Sequence, residues 1–396
     1  MQERKSPFQQ LDYTLLFLLF VLMCISLLAV YSGSSAVTES WTWAGPLYFV
    51  QRQIIWFGVG IILMLAAMSI DYDLFKNFSI PLYIIGMILL LLVHFTPLGI
   101  ENKGARRWLG IEDVFQFQPS EFVKIFVLIA LAHLLYNITK APREKSFKGD
   151  IIVVGKILAV GLPPFAFILI QPDLGTALVI GAIMGSMIIM SGVTYRMLGL
   201  LSSLVLSFIA LLIWLHNNYF EIFSLIIRSH QRNRIYAWLD PAGNISGEGY
   251  QLYQALQGIG SGRLYGSGFM QGPKTHSGTI PELHTDFVFT VIGEEFGFVG
   301  ATVLIVVYFL LLYRMVIISF NCNNTFGTYL VAGTVGLFVF QIFQNIGMTI
   351  GLMPITGLAL PFISYGGSAL ITNMIAIGIV LNVNIRTKHY MFGEED

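Results

Sequence analysis

Long apolar segments recur along the chain and are separated by shorter polar segments. Ten of them approach the length of about 20 residues at which an α-helix crosses the hydrocarbon core of a bilayer. The predicted spans are Thr14–Tyr31, Ile54–Ile70, Phe78–Phe95, Phe122–Ile138, Ile151–Ile170, Leu174–Ser191, Met197–His216, Phe287–Ile318, Phe326–Met353 and Ser368–Ile385. The pattern therefore predicts an all-α polytopic membrane protein with ten transmembrane helices and both termini on one side.

Charge fixes the predicted orientation. Under this topology Lys and Arg are frequent in the connections on the side of the termini, such as residues 139–150, and the positive-inside rule assigns that side to the cytoplasm. A large loop between helices 7 and 8 (residues 217–285) and a second loop (residues 97–119) are then extracellular. A connection as long as the larger loop is unusual without structure of its own, so we expect it to pack back onto the helices or to enter the membrane surface.

Composition agrees with membrane insertion. Of the 396 residues, 56% are hydrophobic and 11% are charged, with a mean hydropathy of +0.74, whereas a soluble domain carries roughly 25% charged residues. The formal net charge is +0, so no overall field attracts nucleic acid. The two cysteines form neither a disulfide framework nor a metal-ligand spacing, and no metal-binding residues are predicted. Motifs of ATP hydrolysis and of zinc proteolysis are absent from the sequence.

The extracellular loops carry more cations than the charge rule allows. The clusters are Lys103, Arg106 and Arg107 beside Trp108, and Arg228, Arg232 and Arg234. Ordinary solvated charges are the alternative, and we favour it for Arg263 and Lys274. For the two clusters we predict an anionic ligand, because a planar guanidinium fits phosphate oxygens.

Asp286 is the leading candidate for catalysis. It lies where the large loop meets a long apolar segment, flanked by Glu282 and His284. An ionisable group at a membrane boundary is costly and is usually kept for a function, and a carboxylate can take a proton from a substrate hydroxyl. The structural alternative is an N-cap of the following helix, which is a common role of Asp.

The apolar segment after Asp286 predicts one continuous helix with a smooth face. The residues that share this face are Asp286, Thr290, Gly293, Gly297 and Gly300. Glycines there allow another helix to approach closely. Glu294 and Glu295 are predicted to form buried pairs with Lys124 or Arg52.

Three further polar clusters interrupt the apolar pattern. Glu121 and Lys124 are three residues apart and can pair on one helix face, either in a structural entry turn or in the site. Asp173 is expected to cap the next helix. Residues 351–367 contain two prolines and a glycine pair, which predicts a re-entrant or tightly folded loop that offers the hydroxyls of Ser364 and Tyr365. A purely structural hairpin is the alternative for that loop, and from the residues alone we favour it.

Five motifs, in order along the chain, resemble the SEDS family (shape, elongation, division and sporulation), which includes RodA, FtsW and SpoVE. They are Gly104–Trp108, Gln118–Lys124, Gln171–Gly175, His284–Phe287 with Gly293–Gly297, and Pro354–Gly357 through Pro361–Gly367. The resemblance covers nearly the whole chain as one SEDS membrane domain (residues 1–396) with the same ten-helix plan. Ala359 departs from the family, in which many members carry proline.

The resemblance implies a peptidoglycan glycosyltransferase that polymerises lipid II at the outer face of the bacterial cytoplasmic membrane. The reaction is hexosyl transfer from an undecaprenyl-diphosphate-linked donor, and Asp286 matches the essential aspartate of the family. The residues that we expect to bind substrate are Lys103, Arg106, Arg107, Trp108, Glu121, Lys124, Arg232, Arg234, His284 and Ser364. A divalent cation, Mg²⁺ or Mn²⁺, is left open as a cofactor.

The implied partners are lipid II, undecaprenyl-pyrophosphate-linked glycan, a class B penicillin-binding protein (a transpeptidase) and other membrane proteins of the elongation complex. Short tails favour a role in cell elongation and shape, and division or sporulation stay open. Two other classes of function are a lipid II flippase and a scaffold. Transport sites usually lie near the midplane, whereas the polar residues here concentrate at the outer face. A scaffold would tolerate replacement of Asp286.

Overall fold

The computed structural model describes residues 11–35, 45–102, 105–111, 115–140, 146–243 and 247–390. Within these ranges nine helices are long and apolar enough to cross a membrane. They are α1 (Tyr13–Gly33), α2 (Pro46–Ser69), α3 (Tyr72–Phe95), α4 (Pro119–Lys140), α5 (Phe147–Ile170), α7 (Tyr195–Asn218), α13 (Gly297–Phe320), α14 (Thr325–Thr349) and α15 (Gly367–Tyr390). A further apolar helix, α6 (Leu174–Met190), has 17 residues, which is near the lower limit of about 17 for a span.

The helices α2 and α3 begin several residues before the predicted spans. α2 begins at Pro46, because proline is well suited to the first helical turn. α3 begins after Asp71, whose carboxylate accepts a hydrogen bond from the backbone N–H of Asp73 at 2.9 Å. Asp173 caps α6 as predicted, accepting from the N–H of Thr176 at 3.1 Å. Hydropathy therefore locates the spans, and capping decides where the helices begin.

The connection between α3 and α4 is not helical. It forms a three-stranded antiparallel sheet in the order β1 (Gly99–Asn102), β2 (Ala105–Ile111) and β3 (Phe115–Phe117). The all-α prediction missed this sheet. Along β2 the buried residues Ala105 and Leu109 share one face, but Arg107 lies between them on that face, so the sequence shows no clear apolar alternation.

The predicted helix Phe287–Ile318 is divided in two. α12 (Val288–Glu295) ends at Phe296 and α13 begins at Gly297, which has φ +66°. The break is filled by residues 262–268 of the large connection. Backbone N–H groups of Ser267 and Gly268 bind the carbonyls of Glu294 (2.9 Å) and Glu295 (3.0 Å). The prediction of one continuous glycine face through Gly297 and Gly300 was therefore wrong.

Gly297→Ala is expected to destabilise the fold strongly. A Cβ atom at Gly297 would lie 2.3 Å from the backbone nitrogen of Gly266. A left-handed conformation alone costs a residue with a Cβ roughly 1–2 kcal/mol, and the backbone contact adds to that cost. The measurement is the midpoint of thermal unfolding in detergent. Gly185→Ala in α6 is the control, because a Cβ there meets nothing within 4 Å; equal midpoints for the two variants would contradict this account of the break.

The two glutamates at the end of α12 bind the large connection, and the predicted pairing with Lys124 or Arg52 was wrong. Glu294 is fully buried and accepts hydrogen bonds from the N–H groups of Lys274 and Thr275, both at 2.8 Å. Glu295 is 1% exposed and accepts from the hydroxyl of Ser32. These contacts confirm the expectation that the large connection packs back onto the helices. It contains the short helices α8 (Phe220–Ile226), α9 (Ser229–Leu239), α10 (Glu248–Ser261) and α11 (Pro273–His276).

Residues 350–366, between α14 and α15, fold into the bundle as an irregular buried loop. Its carbonyl groups are bound by side chains from several helices: Pro354 O by Gln344 Nε2 (2.9 Å), Ile363 O by Ser26 Oγ (2.8 Å) and Ser364 O by Gln53 Nε2 (3.3 Å). Irregular backbone at membrane depth is tolerated when protein groups satisfy it in this way. The prediction of a tightly folded loop between the last two spans is confirmed.

Candidate active site

Asp286 lies at the end of a tight turn. The carbonyl oxygen of Glu282 accepts hydrogen bonds from the N–H groups of Thr285 (3.2 Å), Asp286 (3.1 Å) and Phe287 (3.3 Å). Glu282 has φ +57°, a left-handed conformation of the kind that costs about 1–3 kcal/mol and persists where the surroundings hold the backbone firmly. α12 begins at Val288 with Phe287 as its N-cap residue, so Asp286 does not occupy the N-cap position that was its structural alternative.

Three consecutive carbonyl groups attach this turn to the 350–366 loop and to α14. His284 O accepts from Tyr365 N at 2.9 Å. Thr285 O accepts from Ser364 Oγ at 2.6 Å, and Asp286 O accepts from Asn345 Nδ2 at 2.8 Å. The three bonds use backbone oxygens, so they fix the backbone of Asp286 without consuming its carboxylate.

The carboxylate of Asp286 faces a glycine of the 350–366 loop. A Cβ atom on Gly357 would lie 3.2 Å from Asp286 Oδ2, and Gly357 has φ +71°. Both facts call for glycine, because a side chain at this φ is strained and would crowd the carboxylate. Asp286 is half-buried, which combines access for a substrate with partial shielding from water.

His284 packs in an aromatic cluster beside the turn. Its ring centroid lies 4.8 Å from that of Phe49 and 5.6 Å from that of Tyr365, and only 8% of the residue is exposed. Burial raises the pKa of Tyr365, although Arg52 opposes the shift. The Tyr365 hydroxyl is therefore a neutral hydrogen-bond donor at physiological pH. The structure places His284 next to Asp286, and its binding of substrate stays a prediction.

Ser364 has a clear structural task. Its hydroxyl donates to Thr285 O and accepts from the N–H of Leu360 at 2.8 Å, and the residue is 4% exposed. Both interactions serve to hold the loop against the turn. The predicted contact of Ser364 with substrate stays a prediction beside this role.

The other polar loops at the same end join this site through Asp173 and Gly175. Gln118 Nε2 donates to Asp173 Oδ2 at 2.8 Å. A Cβ atom on Gly175 would lie 2.7 Å from Cγ of Leu358, the residue after Gly357. The start of α4, the start of α6 and the 350–366 loop therefore form one layer that reaches the Asp286 carboxylate.

Arg106 binds backbone carbonyls at the end of α3 and the start of β1, and Arg107 binds one just before α6. Arg106 Nε donates to Gly99 O at 2.9 Å and its Nη2 donates to Thr96 O. Arg107 Nη2 donates to Pro172 O at 2.7 Å, while its buried Nε has no hydrogen-bond partner among the described residues. A buried donor of this kind is expected to meet water or a ligand. Trp108 is half-buried on the same strand, and Lys103 lies outside the described residues.

Glu121 and Lys124 form the predicted pair. Lys124 Nζ lies 2.8 Å from Glu121 Oε2, and the two side chains are 0% and 7% exposed, respectively. Two buried charges are stable only together, because removing one partner leaves the other without compensation. The structure confirms the pairing, while the contribution of the pair to substrate binding is untested.

Lys124→Met is expected to cost about 3–5 kcal/mol of stability, the usual effect of breaking a buried ion pair. The double variant Lys124→Met with Glu121→Gln removes the uncompensated charge and is expected to recover much of that loss. Because we predict that both residues bind substrate, the double variant should melt near the wild type yet stay impaired in glycan synthesis. Recovery of activity together with stability would show that the pair is purely structural.

The arginines of α9 lie at the same end of the bundle. Arg232 donates to Ile227 O at 3.5 Å, and its guanidinium lies 5.4 Å from the ring centroid of Phe220, so it is turned towards α8. Arg234 is half-buried on the same helix. Trp238 Nε1 donates to Gly351 O at 2.8 Å and attaches α9 to the 350–366 loop. Their predicted contact with an anionic ligand stays a prediction.

The described side chains do not offer a metal site of three or more His, Cys, Asp or Glu ligands. A divalent cation therefore has no three-ligand cradle in this part of the chain.

Sequence reasoning missed two residues of the site, Asn345 and Gly357. Asn345 is an amide inside an apolar span, one residue after Gln344 and four after Gln341, and all three are buried. Polar residues within a membrane span are costly and often functional, so this spacing was an available signal. The role of Gly357 depends on a contact with a residue distant in sequence, which no local pattern reveals.

Fold and site together define a helical, multi-pass membrane protein with a half-buried carboxylate held by two loops at one end of the bundle. A family model described as "Cell cycle protein", for FtsW, RodA and SpoVE, matches residues 13–389. The chain belongs to this family, the SEDS proteins. The resemblance seen in the five motifs is thereby confirmed.

Individual relatives match over nearly their whole length. The probable peptidoglycan glycosyltransferase FtsW of Trichlorobacter lovleyi is 34% identical over 394 residues, covering 97% of this chain and 96% of the relative. The peptidoglycan glycosyltransferase MrdB of Escherichia coli K12 is 33% identical over 378 residues, covering 96% and 94%.

Solved structures share the fold. One solved chain matches with a TM-score of 0.74 and 30% identity, covering 94% of this chain and 97% of that chain. Its structure is described as "Structural coordination of polymerization and crosslinking by a peptidoglycan synthase complex". The rod shape determining protein RodA of Thermus thermophilus matches with a TM-score of 0.65 and 26% identity, covering 97% and 98%.

Proposed function

We propose that this chain is a peptidoglycan glycosyltransferase that polymerises lipid II, with Asp286 as the general base. Family membership and near full-length relatives that carry this activity in their names support the class. One observation supports the role of Asp286 most directly. Its half-buried carboxylate faces Gly357, while the backbone carbonyls of His284, Thr285 and Asp286 are bound by the 350–366 loop and by α14.

The reaction is one displacement at an anomeric carbon. Asp286 takes the proton from the sugar 4-hydroxyl of an acceptor lipid II while that oxygen attacks the anomeric carbon of the growing chain's terminal sugar. A new glycosidic C–O bond forms, and the bond from that carbon to undecaprenyl pyrophosphate breaks, with its electron pair leaving on the pyrophosphate. A positioned general base contributes about 10²–10⁴-fold to such a step.

Cations of the two polar loops stabilise the leaving pyrophosphate. We assign this role to Arg106 and Arg107, with Lys103, Arg232 and Arg234 completing the cationic surroundings. The partnerless buried Nε of Arg107 supports the assignment, and a guanidinium has five N–H donors, so Arg106 keeps donors beyond those bound to Thr96 and Gly99. Such fixed positive groups act where negative charge develops.

The proposed topology has ten spans, with α6 as the tenth, and puts both termini in the cytoplasm. The large loop, residues 217–285, then lies outside the cell between the seventh span, α7, and the eighth, α13, and Asp286 faces the outer side of the cytoplasmic membrane. Charge supports this orientation, because the connections at the other end are rich in Lys and Arg. Lipid II carried in the outer leaflet would reach the site from the side.

We further propose a class B penicillin-binding protein as partner and a role in elongation and cell shape. The support for a partner is the solved relative from a peptidoglycan synthase complex, which concerns polymerisation together with crosslinking. The relatives include both FtsW and MrdB at similar identity, so division and sporulation are the competing roles. These roles would be distinguished by replacing the gene of each relative with that of this chain and observing which function is restored.

The proposal is tested against a flippase with proteoliposomes that carry fluorescent lipid II in both leaflets. A polymerase converts the label into glycan chains on a gel, while the fraction reached by a membrane-impermeant quencher stays constant. A flippase changes the quenched fraction over time and makes no polymer. A scaffold does neither, even with the transpeptidase present, and either of these two results would overturn the proposal.

A further inference from the structure

We infer that Asn345 is a positioning residue of the reaction, whose side-chain amide sets the distance between the Asp286 carboxylate and the 350–366 loop. The inference rests on the proposed function of Asp286. Asn345 is a buried amide of α14 and lies outside the five sequence motifs, which gave no indication of this role.

Asn345 closes a ring of contacts around the carboxylate. Its Nδ2 donates to Asp286 O at 2.8 Å and to Leu358 O at 2.6 Å. Asp286 Oδ2 in turn faces Gly357, the residue before Leu358, where a Cβ would lie 3.2 Å away. The two N–H groups of one amide thus hold both sides of the contact between carboxylate and loop.

The orientation of this amide is fixed by its partners. Both neighbours of Nδ2 are backbone carbonyl oxygens, and these can only accept hydrogen bonds. The reversed amide would place its own oxygen against them, which is repulsive. Donation to Asp286 and Leu358 therefore follows from chemistry and not from an arbitrary choice between nitrogen and oxygen.

Packing alone does not explain an asparagine at this position. The residue is 0% exposed inside an apolar helix, and its Oδ1 has no hydrogen-bond partner among the described residues. An unsatisfied buried acceptor destabilises a fold, so an apolar side chain would pack at lower cost. The arrangement keeps the amide despite this cost because its two donors are needed.

Gln344 provides a matched control on the same helix. It is fully buried and donates to Pro354 O at 2.9 Å, so it also anchors the 350–366 loop. This contact lies at the start of the loop, away from Gly357 and Leu358. Comparing the two positions separates anchoring of the loop in general from positioning of Asp286.

Loss of the Asn345 donors is expected to slow chemistry more than substrate binding. The carbonyl of Asp286 would lose a partner, and the carboxylate could move relative to Gly357. A displacement of about 1 Å in a catalytic group can cost roughly 10²-fold in rate. The Michaelis constant should change little, because the base acts on the hydroxyl in the transition state.

The experiment measures kcat and KM for lipid II polymerisation together with thermal unfolding. Asn345→Leu keeps the size and branching of the side chain and removes both N–H donors, Asn345→Ala removes the whole amide, and Asn345→Ser retains one donor for use if the other two misfold. We expect kcat to fall about 10²-fold in the first two variants, with KM within about threefold and an intermediate kcat for Asn345→Ser. Gln344→Ala should keep kcat within about threefold of the wild type.

Two results would overturn the inference: wild-type kcat in folded Asn345→Leu, or an equal loss of kcat in Gln344→Ala. Asp286→Asn in the same assay separates this failure from that of the proposed function. Full activity of Asp286→Asn would contradict the general-base role of Asp286 and therefore both claims. An inactive Asp286→Asn beside a fully active Asn345→Leu would contradict only the role of Asn345.

Discussion

Asp286→Asn is expected to lower the rate of glycan polymerisation by about 10²–10⁴-fold, the contribution of a positioned general base. The amide has nearly the shape of the carboxylate but cannot take the proton of the attacking hydroxyl. The fold should survive, because the contacts that fix the turn are made by the carbonyls of His284, Thr285 and Asp286. The measurement is the initial rate of glycan formation from labelled lipid II, with size-exclusion and thermal unfolding profiles recorded for the same sample.

Glu282→Gln is the matched control for that loss. Glu282 is a carboxylate in the same turn, and its Oε2 accepts a hydrogen bond from Thr285 Oγ1 at 2.9 Å. Glutamine keeps an oxygen that can accept this bond, so the rate should stay within a few-fold of the wild type. A comparable loss in both variants would show that the turn needs negative charge in general and would remove the specific role of Asp286.

Gly357→Ala is expected to have the second largest effect, a loss of polymerisation of about 10²-fold or more. The methyl group would lie 3.2 Å from Asp286 Oδ2 and would be forced on a residue with φ +71°. Relieving the close contact or the backbone strain moves the loop or the carboxylate. The base is then displaced from the hydroxyl whose proton it takes. The expected signature is a large fall in kcat with a smaller fall in the unfolding midpoint.

Gly366→Ala tests whether the loop is simply intolerant of change. Gly366 belongs to the same loop, and a Cβ atom there meets nothing within 4 Å. This variant should polymerise lipid II at close to the wild-type rate. Equal inactivation by the two alanines would contradict the argument that Gly357 is glycine because of its contact with Asp286.

The membrane spans could be predicted because the bilayer alone constrains them. The predicted segment Phe122–Ile138 lies within α4, and Ile151–Ile170 lies within α5 and ends at the same residue. An apolar run of suitable length needs no knowledge of its neighbours to be recognised. Helix starts were less accurate, since capping groups such as Asp71 lie outside the apolar pattern.

The break between α12 and α13 could not be read from the local pattern. It exists because residues 262–268 insert their backbone between Glu295 and Gly297 and satisfy the freed carbonyl and N–H groups. One sign was available: the predicted span Phe287–Ile318 is longer than the range of about 17–25 residues that a bilayer needs. Hydropathy depends only on local composition, which is apolar in both halves. It therefore does not reveal that a segment distant in sequence separates them.

The sequence predicted which residues form the site better than it predicted how those residues are held in place. Asp286, the pair of Glu121 with Lys124, and the cap at Asp173 were all visible as charged groups in apolar surroundings. How the loops meet was not visible, because each joining contact is long-range and uses backbone oxygens. Ser364 illustrates the difference: its hydroxyl was noticed, whereas its bond to Thr285 O required the fold.

The arrangement explains how a flexible-looking polar loop can present a precise base. The turn at Glu282 is held locally, the 350–366 loop binds it through Ser364 and Tyr365, and α14 binds both through Asn345. Catalytic groups act best when they are positioned before the substrate arrives. The buried helices thus supply the rigidity that the loop alone lacks.

The most direct test of a lipid II polymerase centred on Asp286 is the glycan product of the purified protein, assayed with the proposed transpeptidase partner and labelled lipid II as the sole sugar substrate. The account predicts long glycan chains from the wild type and from Gly366→Ala, and at most a trace from Asp286→Asn at equal protein and equal lipid II. Glycan chains from Asp286→Asn at the wild-type rate, or none from the wild type, would contradict it.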